Sequence, residues 1–139
     1  MNNASPPRMH DAAPSIDGSI LFFYYDDLDA ATRWYQEILG LETILREEWL
    51  VLLQLRPGTT VGLVDAAGGS HLPLRGGNQG AMLSIESNAV EAWLDRLKTL
   101  DICPATTPLT PGCQGRTLEF RVRDPGGYMV VFFRWTDRP

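Results

Sequence analysis

Apolar residues fall along this chain in short blocks whose spacing alternates between the strand period and the helix period. The first block, Ser19-Ile-Leu-Phe-Phe-Tyr-Tyr25, is aliphatic and aromatic and predicts a strand covered on both faces. Asp26-Asp27 stops it, and the Asp27 carboxylate can cap the helix that follows. From Leu28 to Leu39, the residues Leu28, Ala31, Trp34, Tyr35 and Ile38 recur at three- and four-residue intervals, drawing one apolar helix face. Gly40 is placed to end that helix. Three strands are predicted next, over Glu42–Arg46, Trp49–Leu55 and Thr59–Asp65, with Arg56-Pro57-Gly58 turning between the last two. Periodicity then stops in a Gly-rich stretch that reads as a linker or lid and holds no phosphate-loop pattern.

A second cycle opens at Gly80. Ala81–Glu86 predicts a strand, and Asn88 with Glu91 approximates a capping box for the next helix. Val90, Trp93, Leu94 and Leu97 form its apolar stripe, and Trp34 and Trp93 are both assigned to core. Strands over Ile102–Thr107, Arg116–Arg123 and Tyr128–Trp135 follow, the last two joined by the tight-turn sequence Asp124-Pro125-Gly126-Gly127. Each half therefore runs strand, helix, three strands, and the helix stripes align at a constant offset. A half of this size cannot cover both faces of its own sheet. The predicted fold is α+β: two paired βαβββ modules form a curved mixed sheet around a concave pocket, with the helices outside. The boundaries are a disordered tail over 1–17, module one over 18–66, a linker over 67–79 and module two over 80–136, within a domain of 18–139.

Composition narrows the class. The chain has 139 residues, 44% of them hydrophobic, and a formal balance of −5 from 12 Lys+Arg against 17 Asp+Glu. That balance argues against nucleic acid, whose phosphates need a basic face. No apolar run approaches the roughly 20 residues that span a bilayer, and the polar, Pro-rich start lacks a signal-peptide core. Cys103 and Cys113 are too few for a disulfide framework. The working class is a cytoplasmic single-domain protein.

The segment Tyr25-Asp-Asp-Leu-Asp-Ala-Ala-Thr-Arg-Trp-Tyr35, followed by Ile38-Leu-Gly-Leu41, and the hairpin Glu119-Phe-Arg-Val-Arg-Asp-Pro-Gly-Gly-Tyr128 carry a family pattern. They resemble the vicinal oxygen chelate superfamily of glyoxalase I, bleomycin-resistance proteins and extradiol dioxygenases, over about Ser19 to Trp135. In its metal-dependent members the resemblance implies a divalent ion held by His, Gln and Glu side chains on the first and last strands of both modules. Those positions fall here at Ile20, Leu63, Gly80 and Val131, none of which can ligate a metal. His10 lies in the tail and His71 in the linker, and no nucleophile elbow is present. The resemblance therefore implies the metal-free, bleomycin-resistance-like branch, with no catalytic residue, metal or cofactor, and a homodimer.

Strand parity with the vacated positions predicts the pocket lining. Phe22, Tyr24 and Leu63 line it from module one, accompanied by Val61 and Asp65; Met82 and Ser84 line it from the first strand of module two, with Glu86 at the rim. Met129, Val131, Phe133 and Trp135 line it from the last strand. Trp49 is a candidate for stacking on a planar ligand, and Glu119 for facing a cation. Pro108–Gly115 is placed to fold over the mouth. The leading expectation is a non-catalytic protein that binds a small, planar, antibiotic-like molecule, with a cationic guest favoured by the acidic balance. The rivals are a lyase, isomerase or dioxygenase, metal-dependent or using Glu119, Tyr24 or Glu86 as acid/base, and a vestigial dimerisation module.

Overall fold

Strand β1 (Ser19–Tyr25) leads into α1 (Leu28–Arg33), in whose first turn the Ala30 N–H donates to the Asp27 carboxylate at 3.0 Å. The computed structural model describes residues 6, 8–76 and 78–137, so part of the expected tail and Gly77 lie outside the described residues. The helix continues over Trp34–Ile38 with a wider turn, in which Leu39 N–H reaches the Trp34 carbonyl five residues back. Gly40 ends it at φ +68°, the left-handed conformation expected of a terminating glycine. Strands β2 (Glu42–Arg46), β3 (Leu50–Arg56) and β4 (Thr59–Asp65) complete the first module. The second holds β5 (Met82–Glu86), α2 (Val90–Thr99), β6 (Thr110–Gly112), β7 (Thr117–Arg123) and β8 (Met129–Trp135).

The strands divide into two four-stranded mixed sheets of identical topology, β1-β4-β3-β2 and β5-β8-β7-β6. In each, the first and last strands pair in parallel at the centre-to-edge position and the others run antiparallel. The repeat seen in the helix stripes is thus a repeat of whole modules. One hydrophobic core spans both: Phe23, Ala31, Tyr35, Val61 and Leu63 join Val90, Leu97, Phe120, Val130 and Phe132, each no more than 0% exposed. Phe120 and Phe132 stack at 5.1 Å, and Trp93 stacks on Phe132 at 4.8 Å.

Three local expectations are corrected. Ile102–Thr107 is not a strand: Pro104 and Pro108 offer no N–H, and only Thr107 bonds β7, through Arg121. The edge strand forms at Thr110–Gly112 instead. Asn88 does not cap α2; Ala89 stands at its start, and Ser87 Oγ accepts the Ala89 N–H at 3.1 Å. Nor is β1 covered on both faces. Phe23 and Tyr25 are buried beneath α1, whereas Ile20 is 46% and Phe22 42% exposed on the other side.

Candidate functional site

Each sheet turns one face to the shared core and leaves the other open. On β1 the open face carries Ile20, Phe22 and Tyr24. The parallel register sets Phe22 beside Gly62 and Tyr24 beside Val64, so β4 presents Thr60, Gly62 and Val64 on that face. Leu63 and Val61 point the other way, into the core, fully buried. The position assigned to Leu63 therefore belongs to Gly62. Its lack of a side chain has a use: a Cβ there would lie 2.6 Å from Phe22 Cδ1, so the Phe22 ring lies across the place where a metal ligand would project.

Phe22, Tyr24 and Trp49 meet around a cavity of about 380 Å³ on this face, together with Val64 and the backbone of Gly68–Ser70. The linker is pressed against the sheet there, since a Cβ on Gly69 would approach Val64 Cγ1 to 2.8 Å. His71 follows, its ring 5.2 Å from that of Tyr24 and its Nδ1 bonded to Ser70 Oγ at 2.7 Å. Farther on, Gln79 pins the linker by accepting from Leu74 N–H at 2.8 Å and donating to Gly126 O at 3.0 Å.

The open face of module two surrounds a larger cavity of about 630 Å³. Met82 and Ser84 of β5 and Met129 and Val131 of β8 form its floor. Phe133 and Trp135 continue along β8 beyond that cavity, edge to face at 5.5 Å, with Trp135 Nε1–H donating to Glu86 at 3.2 Å. Glu119 also lines the cavity, but not as a free carboxylate awaiting a cation. It accepts from Thr117 Oγ–H at 3.0 Å and lies 3.5 Å from the Arg121 guanidinium. Arg123 lines the same wall and donates to Gly127 O at 2.9 Å. Two guanidiniums thus face one carboxylate in a chain whose total balance is −5. The cup's charge runs against the expected cationic guest. Sequence reasoning singled out Glu119 and missed the arginines, although Glu119, Arg121 and Arg123 alternate with the buried Phe120 and Val122. Pro108–Gly115 does not close this mouth; it supplies β6 and one wall residue, Cys113.

The acidic and imidazole groups do not gather. Asp65 accepts from Ala67 N–H, Glu86 from Trp135, Glu119 from Thr117, and His71 pairs with Ser70. Among the described residues no three His, Cys, Asp or Glu side chains are placed to hold a metal. Cys103 and Cys113 are free and exposed. The side chains at Ile20, Gly62, Gly80 and Val131 offer carbon and hydrogen only, so the donor set expected of the metal-dependent enzymes does not fit this chain.

A different carboxylate is buried with a full set of partners. Asp124 Oδ2 accepts from Tyr25 OH and, at 2.8 Å, from Tyr35 OH; Oδ1 accepts the Gly126 and Tyr128 N–H groups, both at 2.9 Å. The Tyr128 ring stacks on Phe23 at 4.0 Å, and its hydroxyl bonds the Tyr24 backbone at 3.0 and 3.1 Å. The turn of module two is thereby clamped onto the first strand and helix of module one. Burial raises the Asp124 pKa, against the tyrosine hydrogen bonds that lower it. Burial and the neighbouring Asp124 push both Tyr25 and Tyr35 well above the ordinary phenol value. Raised native values stabilise the fold below the unfolded pKa, and that stability is lost as pH rises through the native one. For the phenols the loss begins near pH 10. The melting temperature is therefore expected to fall steeply above about pH 10, and less steeply in Tyr25→Phe. Thermal melts followed by circular dichroism between pH 8 and pH 11 check this (roughly the span around the phenol pKa); identical profiles would contradict it.

The fold has counterparts among solved structures. The family model of the glyoxalase/bleomycin resistance protein/dioxygenase superfamily matches residues 19–132. A lactoylglutathione lyase from Agrobacterium tumefaciens superposes with TM-score 0.71 at 24% identity, covering 88% of this chain and 96% of the other. A bleomycin resistance determinant encoded on transposon Tn5 gives 0.68 at 16%, covering 87% and 99%. TioX from Micromonospora sp. ML1 gives 0.68 at 20%, covering 85% and 98%. Comparison with curated proteins returns no match.

Proposed function

The chain belongs to the glyoxalase/bleomycin resistance protein/dioxygenase superfamily, and from that premise we propose that it binds a small planar molecule without transforming it. One observation carries the reading: the open faces hold cavities of about 380 and 630 Å³, while the four expected metal positions bear no donor atom. Aromatic rings from Phe22, Tyr24 and Trp49 supply flat surface for stacking, and Met82, Met129 and Val131 supply apolar contact. The bleomycin resistance determinant among the similar structures supports a sequestering role by analogy. With Glu86 or Glu119 as the acid/base, the rival would need a carboxylate poised over the guest; each is held by a neighbouring side chain instead.

The working unit in this proposal is a homodimer. Ile20, Phe22, Trp49 and Met82 are each between 42% and 56% exposed on the open faces, an apolar surface that a second copy would cover while enclosing the guest. No helix among the described residues is long and apolar enough to cross a membrane; a cytoplasmic location is part of the proposal.

Thermal-shift measurement against planar aromatic antibiotics and divalent metals tests the reading. A guest at about one hundred times its Kd adds about 2.7 kcal/mol, which raises Tm by on the order of 10 °C. Stabilisation by metals with no response to any planar compound would contradict it.

A further inference from the structure

We propose that the cup of module two takes the negatively charged end of its guest, a carboxylate, sulfonate or phosphoryl group, between Arg121 and Arg123. The inference rests on the small-molecule reading above and names the class of molecule that the second cup selects. Its ground is the composition of the wall. Arg121 and Arg123 both line the cavity, two residues apart on β7, so their backbones lie roughly 7 Å apart on one face of the sheet. An anion's several acceptor oxygens can bridge two guanidiniums at that spacing.

Their donors are not exhausted. Among the described residues the Arg123 guanidinium has one hydrogen bond, to Gly127 O, and the Arg121 guanidinium one long contact, at 3.5 Å to Glu119. Each guanidinium carries five N–H donors, so most remain to meet a guest. Glu119, the one acid in the lining, is bonded by Thr117 Oγ, and its carboxylate fills the space over Gly112, where a Cβ would collide with it. That contact turns Glu119 toward the β6 edge, so it offsets the positive wall without cancelling it. Ser84 offers a hydroxyl on the floor opposite, and Met82, Met129 and Val131 offer apolar surface to the rest of the molecule. A cation would meet two like charges here and a carboxylate already engaged. The acidic excess behind the overall balance of −5 lies outside this wall.

Two dyes with one ring system separate charge from stacking: 8-anilinonaphthalene-1-sulfonate and the uncharged N-phenyl-1-naphthylamine, titrated by fluorescence in low salt. The wild type is expected to bind the sulfonate more tightly than the neutral dye, and added salt to weaken only the sulfonate. Arg121→Gln should weaken the sulfonate about 10- to 100-fold and leave the neutral dye unchanged. Glu119→Gln should tighten the sulfonate. Arg121 is exposed, so its variant keeps the test informative even where Arg123→Gln, which loses the Gly127 contact, fails to fold. If both dyes bind wild type and Arg121→Gln alike, the anion proposal is overturned and small-molecule binding stands. If neither dye binds wild type, both readings fall.

Discussion

Asp124→Ala is expected to lower the unfolding free energy by about 3–5 kcal/mol, the range seen when one member of a buried charged network is removed. The physical basis is the number of donors that the carboxylate satisfies. Truncation leaves the Tyr25 and Tyr35 hydroxyls with only each other, 3.4 Å apart, and leaves the Gly126 and Tyr128 N–H groups without an acceptor. Asp124 is 2% exposed, so water does not replace what is lost. Asp124→Asn should be milder: its amide oxygen can still accept the backbone N–H groups while its NH2 donates to the phenols. Urea unfolding followed by circular dichroism measures the difference. A loss below about 1 kcal/mol for Asp124→Ala would show that the two modules are held together by the apolar core alone.

Phe22→Ala and Trp49→Ala are each expected to weaken a planar guest by about 30-fold or more, the effect of about 2 kcal/mol at a binding hot spot. Both side chains face the 380 Å³ cavity, and Phe22 is 42% and Trp49 48% exposed. Exposure at this level within one chain means that little core packing is lost with them, so the stability of the single folded chain should change by less than about 1 kcal/mol. Calorimetric titration of a planar compound that stabilises the wild type reads the affinity, and thermal melts of the same samples read the fold. Unchanged affinity in both variants would place the guest elsewhere.

The modular fold was legible because each element carries its own period. β1, β2 and β4 end where the sequence pattern ends, and the Asp27 cap and Gly40 stop are local chemistry. The face of β4 was not legible: Val61, Leu63 and Val64 are apolar on both sides, so only pairing with β1 decides that Gly62 meets Phe22. Arg121 and Arg123 stood in plain alternation with Phe120 and Val122, yet charged residues on a strand ordinarily face solvent. Nothing near Asp124 announces its partners, since Tyr25 lies 99 residues earlier. A turn signal hid a clamp. Ile102–Thr107 differs, because its warning was local: an apolar start suggested a strand, but Pro104 and Pro108 interrupt the run of donors and only Thr107 bonds β7.

Elemental analysis of the purified protein, with lactoylglutathione lyase turnover assayed before and after addition of divalent nickel or zinc, decides between metal-free binding and metal-dependent catalysis. We expect far less than one ion bound per chain and no turnover in either condition, while a planar guest binds with the same affinity whether or not chelator is present. One tightly held ion per chain that supports turnover would contradict that expectation.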